Sequence, residues 1–477
     1  MALKKLAMSA GALSAARVFQ LVMSIATLPV LARILPPSDY GLMAMAMASV
    51  SLAIFLTDSG IGRSLVRIGA ERNELWSSAH WLTVAFTAAL GLVLCLLAWP
   101  VSWLFNEARL PLVLVALAAL PLLNGFAEMP AARLVQAERL WPLAMAEALC
   151  AVAGAVTAIS LALAGFGVWA LVSQHLVLAV VRSGVIWAAS GFRPIFTLSI
   201  EEMSDHLRFA RDTLGTALTT FATRIVEPFL VGRFLGAATL GFYSIAYRIA
   251  GLPANVVGGP AQAALYPRLV KASGKPERLK PLVLSGAFGQ ALLIFPGLAA
   301  LAAAGEATFS VLLSERWATA GALFTLMAPA AAVQCLFSFN GGLLQAVART
   351  RLRLRLTIEF GLLWALAAAA LVQFGVNAVA LGWSVVSLLY VPRLLHKSLT
   401  PLGASSWEFL RALALPLSVS LAIVAAHALF TAFFELTNIQ EMLLAMAEAL
   451  LGYGAAAFLG RAKLMELRAA LTASVED

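Results

Sequence analysis

Apolar residues lie along this chain in blocks, not stripes. ALGLVLCLLAWPVSWLF (89–105) and LFTLMAPAAAVQCLF (323–337) leave no polar face for either an amphipathic helix or a half-buried strand. An α-helix crosses hydrocarbon in about 20 residues and satisfies its own backbone, so each block reads as a membrane span. Runs of about 18 to 24 apolar residues number about fourteen, beginning near Leu13, Tyr40, Ala79, Leu110, Pro142, Phe166, Thr213, Gly241, Pro281, Ala318, Leu356, Val376, Arg411 and Gln440. Ala164-Gly165-Phe166-Gly167 and Phe374-Gly375 separate the fifth from the sixth and the eleventh from the twelfth as tight hairpins.

Composition agrees: of 477 residues, 61% are hydrophobic and 12% charged, which excludes an ordinary soluble domain. Arg17 interrupts the first run, which continues to Ile34, so the N-terminus reads as an uncleaved span. Cys95, Cys150 and Cys335 lie inside apolar runs without metal-ligand spacing. His80, His175 and His427 are scattered across spans without a partner pattern, so no metal and no cofactor is expected.

Charge orients the spans. With the N-terminus cytoplasmic, the inner loops collect Lys4, Lys5, Arg63, Arg67, Arg72, Arg133, Arg139, Arg193 and most later basic residues, including Arg349, Arg351, Arg353, Arg355, Arg393 and Lys397. Only Arg33, Arg109, Arg233 and Arg316 fall at outer ends. The positive-inside rule places both termini in the cytoplasm. The formal charge of +9 then needs no nucleic acid, because topology and anionic membrane lipids account for it. RTRLRLR (349–355) reads as an anchor whose basic residues spread around a helix.

One line is written twice. ARILPPSDYG (32–41) returns as GRFLGAATLG (232–241), with the arginine, leucine and final glycine in register. Pro29 and Pro228, Pro121 and Pro329, Gln136-Ala137 and Gln345-Ala346, and Phe166-Gly167-Val168 and Phe374-Gly375-Val376 follow in the same order. The series predicts an all-α polytopic membrane protein of two homologous six-helix bundles, 1–195 and 205–397, then a C-terminal helix pair at 408–462 and a cytoplasmic tail at 463–477. An even number of spans per repeat sets both copies the same way up, which suits two bundles rocking about a central cleft, with the matched prolines letting helices bend. The repeated arginine would anchor the outer helix end, and the repeated glycine would let the next helix begin after a tight turn.

The R-x-L-x5-G corner at Arg33 to Gly41, Asp58-Ser59-Gly60-Ile61-Gly62 at the end of the second span, the 6+6+2 layout and the Gln136-Ala137 element together resemble the Wzx-type polysaccharide and O-antigen repeat-unit flippases of the multidrug/oligosaccharidyl-lipid/polysaccharide exporter superfamily. The resemblance implies a bacterial inner-membrane flippase. Its substrate would be an undecaprenyl-diphosphate-linked oligosaccharide for exopolysaccharide or lipopolysaccharide O-antigen biosynthesis, and its partners the polymerase and export components of that pathway. The competing reading is a multidrug or small-cation antiporter of the same superfamily. A membrane enzyme is disfavoured by short outer loops and by the lack of a metal motif, phosphate loop or nucleophile constellation.

Charges at membrane depth are the candidate site, since each costs about 2.5 to 3.5 kcal/mol there on insertion scales. Arg17 lies in the inner part of the first span, Arg224 and Glu227 near the middle of the seventh, and Arg248 roughly 10 Å into the eighth. Guanidinium groups suit a diphosphate leaving water, so Arg17, Arg224 and Arg248 are the expected diphosphate ligands and Glu227 the expected coupling acid. Glu147 and Glu359 read as interfacial.

Overall fold

A computed structural model of the chain describes residues 2–57, 61–68, 72–197, 203–400, 404–461, 463 and 465; for 2–10, 63, 204–224, 263, 276, 337 and 338 it describes the backbone alone. Among the described residues there are seventeen α-helices and no strand. Thirteen stretches are long and apolar enough to cross a membrane. The difference from about fourteen lies in one place: Ile225–Gln262 forms a single stretch holding the expected seventh and eighth spans. Gly236 divides its helix, with φ 84° and ψ 172°.

The chain forms two compact units, Met1–Gly241 and Phe242–Asp477. In the first, α7 (Trp141–Leu163) packs on both α1 (Ala2–Ile34) and α8 (Val168–Ser190), while α6 (Ala119–Gln136) packs on α4 (Asn73–Phe105) and on α8. Small residues make this possible. Ala151, Ala155, Ala158 and Ala162 are buried one or two turns apart on α7, and a Cβ at Gly154 would lie 2.8 Å from Leu178 of α8. Close approach of this kind is how helices gain packing energy in a solvent as apolar as their side chains.

In the second unit α11 (Pro276–Ala303) is the centre, contacting α13 (Ala318–Ala346), α16 (Ser406–Phe433) and α17 (Asn438–Leu459). Phe288 and Leu292 of α11 meet Val419, Ile423 and Ala456 of the final helix pair. The Tyr453 hydroxyl donates to the Leu293 carbonyl at 2.8 Å. Ser405 with Glu408 and Thr437 with Gln440 form reciprocal caps that start α16 and α17.

The repeat persists at the level of helix ends. After α6, Glu138 turns left-handed (φ 55°) and Arg139 N–H bonds to Leu134 O; after α13, Ala348 does the same (φ 58°) and Arg349 N–H bonds to Leu344 O. Both are Schellman closures, shifted by one residue from the register of the two Gln-Ala pairs. Gly167 (φ 55°) and Gly375 (φ 94°) likewise open α8 and α15 (Val376–Leu399).

The matched prolines behave differently. Pro121 lacks an N–H and its ring crowds the carbonyl four residues back, and the helix is cut there into α5 (Leu110–Leu117) and α6. Pro329 sits within an unbroken α13. There the Ser384 hydroxyl of α15 donates to Leu326 O at 2.5 Å and accepts from Ala330 N–H at 3.2 Å, so it bridges the carbonyl and amide of the turn that holds the proline.

Candidate functional site

The repeated corner comes together on itself. Gly41 lies within α2 (Pro37–Thr57) and Gly241 within the helix following Gly236; neither is at a turn. Their role is closeness. A Cβ on Gly41 would fall 1.6 Å from the Ala237 carbonyl oxygen, and one on Gly241 would fall 1.9 Å from the Pro37 carbonyl oxygen. Ala237 is Pro37 advanced by the same 200 positions that separate the glycines, so the contact is reciprocal in sequence register. The left-handed residue of the second corner is Gly236, and the expectation that the repeated glycine starts the helix is corrected accordingly.

Polar groups brace this corner. Asp39, in the first turn of α2 and buried, lies 3.5 Å from Arg109, and its carboxylate sits 3.1 Å from where a Cβ on Gly167 would be. Arg109 bonds Glu107 through Nε at 3.0 Å. That hydrogen bond, with the charges of Glu107 and Asp39 behind it, holds the guanidinium more firmly protonated than usual.

Arg17 lies on α1 with its side chain exposed. Glu227 is buried at 8% exposure, three residues beyond Arg224 on α9 (Ser204–Pro253); the side chain of Arg224 is outside the described residues. Arg248 is exposed and belongs to the second compact unit. Because its helix resumes at Ala237, Arg248 is eleven residues in, about 16 Å along the helix at 1.5 Å per residue, further than the roughly 10 Å read from the sequence. Asp58, Ser59 and Gly60 of the repeat motif are outside the described residues.

Sequence reasoning missed one buried partner set and misjudged others. Arg182 of α8 holds Glu147 of α7 at 3.3 Å. Glu359 of α14 (Thr350–Leu371) holds Arg393 of α15 at 2.8 Å and Arg355 at 2.9 Å, and accepts from the Tyr390 hydroxyl at 3.2 Å. His427 is not partnerless: its ring lies 2.9 Å from Glu448 and 3.5 Å from Glu441 across the α16–α17 hairpin. The available signal was symmetry about the turn. Glu147 and Arg182 are nearly equidistant from Gly165, as Glu359 and Tyr390 are from Phe374. His80 is different, fully buried and ringed by Trp81, Phe126, Trp187 and Phe192, with no hydrogen-bond partner on either ring nitrogen among the described residues.

A helical bundle of membrane-length spans, with two helices crossing closely at Gly41 and Gly241, defines a polytopic membrane protein. Its fold is that of the lipid II flippase MurJ in an inward closed conformation, with a TM-score of 0.76 over 95% of this chain and 99% of that one, at 12% identity. The chain belongs to the family described as "Polysaccharide biosynthesis protein", which matches residues 30–321. It is 28% identical to the succinoglycan biosynthesis transport protein ExoT of Rhizobium meliloti over 63% of this chain and 61% of that protein. To the lipopolysaccharide biosynthesis protein WzxC of Escherichia coli it is 24% identical over 84% of this chain and 82% of that one. The chain thus spans about three-fifths of the first of these relatives, and 55% and 46% of two others.

Proposed function

We propose that the protein is a flippase that carries an undecaprenyl-diphosphate-linked oligosaccharide across the bacterial inner membrane by alternating access, for exopolysaccharide or O-antigen biosynthesis. The observation that supports this reading is the reciprocal glycine crossing within the helix bundle, set beside the polysaccharide biosynthesis family match and beside compared proteins named for succinoglycan biosynthesis transport and for lipid II flipping. A helix crossing without side chains between the backbones is one that can slide.

In this reading both termini are cytoplasmic, Arg17, Arg224 and Arg248 receive the diphosphate, and Glu227 couples the cycle to an ion gradient. An arginine kept about 16 Å along a membrane helix supports the diphosphate role, because a guanidinium offers an oxyanion both charge and a planar fork of donors. The polymerase and export machinery of the same pathway would receive the flipped unit.

The test is deletion of the gene, followed by sidedness of the lipid-linked oligosaccharide. Accumulation on the cytoplasmic leaflet, relieved by the wild-type gene, is the expected result. Normal delivery to the periplasmic leaflet in the deletion strain would overturn the proposal.

A further inference from the structure

The α14–α15 hairpin carries a cavity of about 250 Å³ lined by Leu352, Arg355, Leu356 and Glu359 of α14 and by Arg393 and Lys397 of α15. Three cations and one carboxylate face it, a net charge of two positive. The carboxylate is already saturated: Glu359 takes Arg355 through Nε at 2.9 Å and Arg393 through Nε and Nη2 at 2.9 and 3.0 Å. The Tyr390 hydroxyl, which reaches both Glu359 and the Leu356 carbonyl, ties this carboxylate to the helix backbone. Glu359 therefore acts as a brace that fixes two guanidinium planes. Among the described residues, no hydrogen bond or ion pair occupies the two Nη groups of Arg355 or the ammonium of Lys397. Fixed guanidinium groups with spare donors are the usual receptor for phosphate oxygens.

The surroundings specify what bears the phosphate. Leu362, Leu363 and Leu366 are exposed at three, four and seven positions beyond Glu359, on its face of α14. Leu389 and Val385 are exposed at four and eight positions before Arg393, within a quarter turn of it around α15. A continuous apolar stripe thus leads away from the cationic cavity along both helices. Free phosphate would have no use for it, whereas the acyl or prenyl chain of an amphiphile would cover it.

We propose that the cationic end of the α14–α15 hairpin is a binding site for the phosphate headgroup of an anionic membrane lipid, the headgroup seated among Arg355, Arg393 and Lys397 and its chains laid along the leucine stripe. The cavity is smaller than the usual range for whole small-molecule ligands, about 300 to 1,000 Å³, and suits a headgroup alone. Either a bulk phospholipid or a polyprenyl diphosphate presents this chemistry. Occupancy would restrain the hairpin, and the site needs no transport activity in order to bind.

Lipid binding to the detergent-solubilised full chain, followed by native mass spectrometry with added phosphatidylglycerol, phosphatidylcholine or undecaprenyl diphosphate, tests this. Lys397→Gln, and Lys397→Gln with Arg355→Gln, are the test variants, because both leave the Arg393–Glu359 bridge in place and Lys397 has no protein partner to lose. Arg349→Gln with Arg351→Gln removes equal charge nearby but outside the cavity. The wild-type chain and this control should hold one phosphatidylglycerol in preference to phosphatidylcholine, and the double cavity variant should weaken that binding at least tenfold. One-for-one displacement by undecaprenyl diphosphate, or binding of undecaprenyl diphosphate with no phospholipid, would support a lipid-phosphate site and identify the substrate as its occupant. Equal weakening by the control variant would show diffuse surface charge and overturn the site, as would unchanged binding in the cavity variants. Neither result touches the flippase reading, since nothing is transported in the assay.

Discussion

At the scale of single residues, the proposed diphosphate role draws on charge that membrane insertion opposes. Arg248 stands about 16 Å along its helix, and in the proposed cycle it receives the diphosphate, a use that would justify the roughly 2.5 to 3.5 kcal/mol a mid-membrane charge costs on insertion scales. Arg248→Ala should leave membrane insertion and protein amount intact while lowering export at least tenfold, and Arg248→Lys should recover only part of it, being a point charge without the planar fork. Full export by the alanine variant at normal expression would remove Arg248 from the site. Arginines inside apolar blocks are conspicuous in a composition this poor in charge, which is why Arg17, Arg224 and Arg248 became the proposed ligands. The Glu147–Arg182 pair was not, because its members lie 35 positions apart and only the folded hairpin brings them within 3.3 Å. His427 was misjudged for the same reason, its two carboxylates coming from the next helix.

At the scale of helices, the repeat was legible as a pattern and its physical meaning was not. The register of 200 between the two corner lines places Gly41 on Ala237 and Gly241 on Pro37, yet a sequence cannot distinguish a glycine needed for a turn from one needed for a crossing. Steric arithmetic now separates them. A methyl 1.6 Å from a carbonyl oxygen has no rotamer by which to escape, so Gly41→Ala must push the crossing helices apart, at about 1 to 3 kcal/mol by analogy with overpacked cores. Gly41→Ala and Gly241→Ala should each lower the thermal midpoint of the purified protein. Their double variant should lose clearly less than the sum, since both methyls strain the same crossing and the first separation relieves the second. Strict additivity would mean that the two contacts are independent and not a single symmetric hinge. The prolines teach the same distinction: the helix breaks just before Pro121 and runs unbroken through Pro329, where the Ser384 hydroxyl of a neighbouring helix bridges Leu326 O and Ala330 N–H.

At the scale of the whole molecule, orientation and coupling are the two properties that the proposed cycle needs. Basic residues crowd the ends assigned to the cytoplasm, so single cysteines at Asn106 and Asn438 should react with an impermeant reagent from the periplasm, and one at Lys275 only after permeabilisation; the reverse pattern would invert the topology. Coupling turns on Glu227, the acid that is 8% exposed on the long α9 and three residues from Arg224, a spacing that sets both on one helix face. In the proposed cycle a proton taken by Glu227 discharges the acid and releases Arg224 to the incoming diphosphate, and loss of that proton restores the pair and loosens the substrate. Glu227→Gln mimics the protonated state permanently. It should still bind the lipid-linked oligosaccharide, but its transport should no longer respond to an imposed pH gradient. A merely structural pair predicts something else: Glu227→Gln would lose stability, and exchanging the charges as Arg224→Glu with Glu227→Arg would restore stability and transport together. Transport by Glu227→Gln that follows the pH gradient as the parent does would eliminate the switch. The arginines would then form a static cationic cavity, and the driving force would have to enter the cycle through other groups.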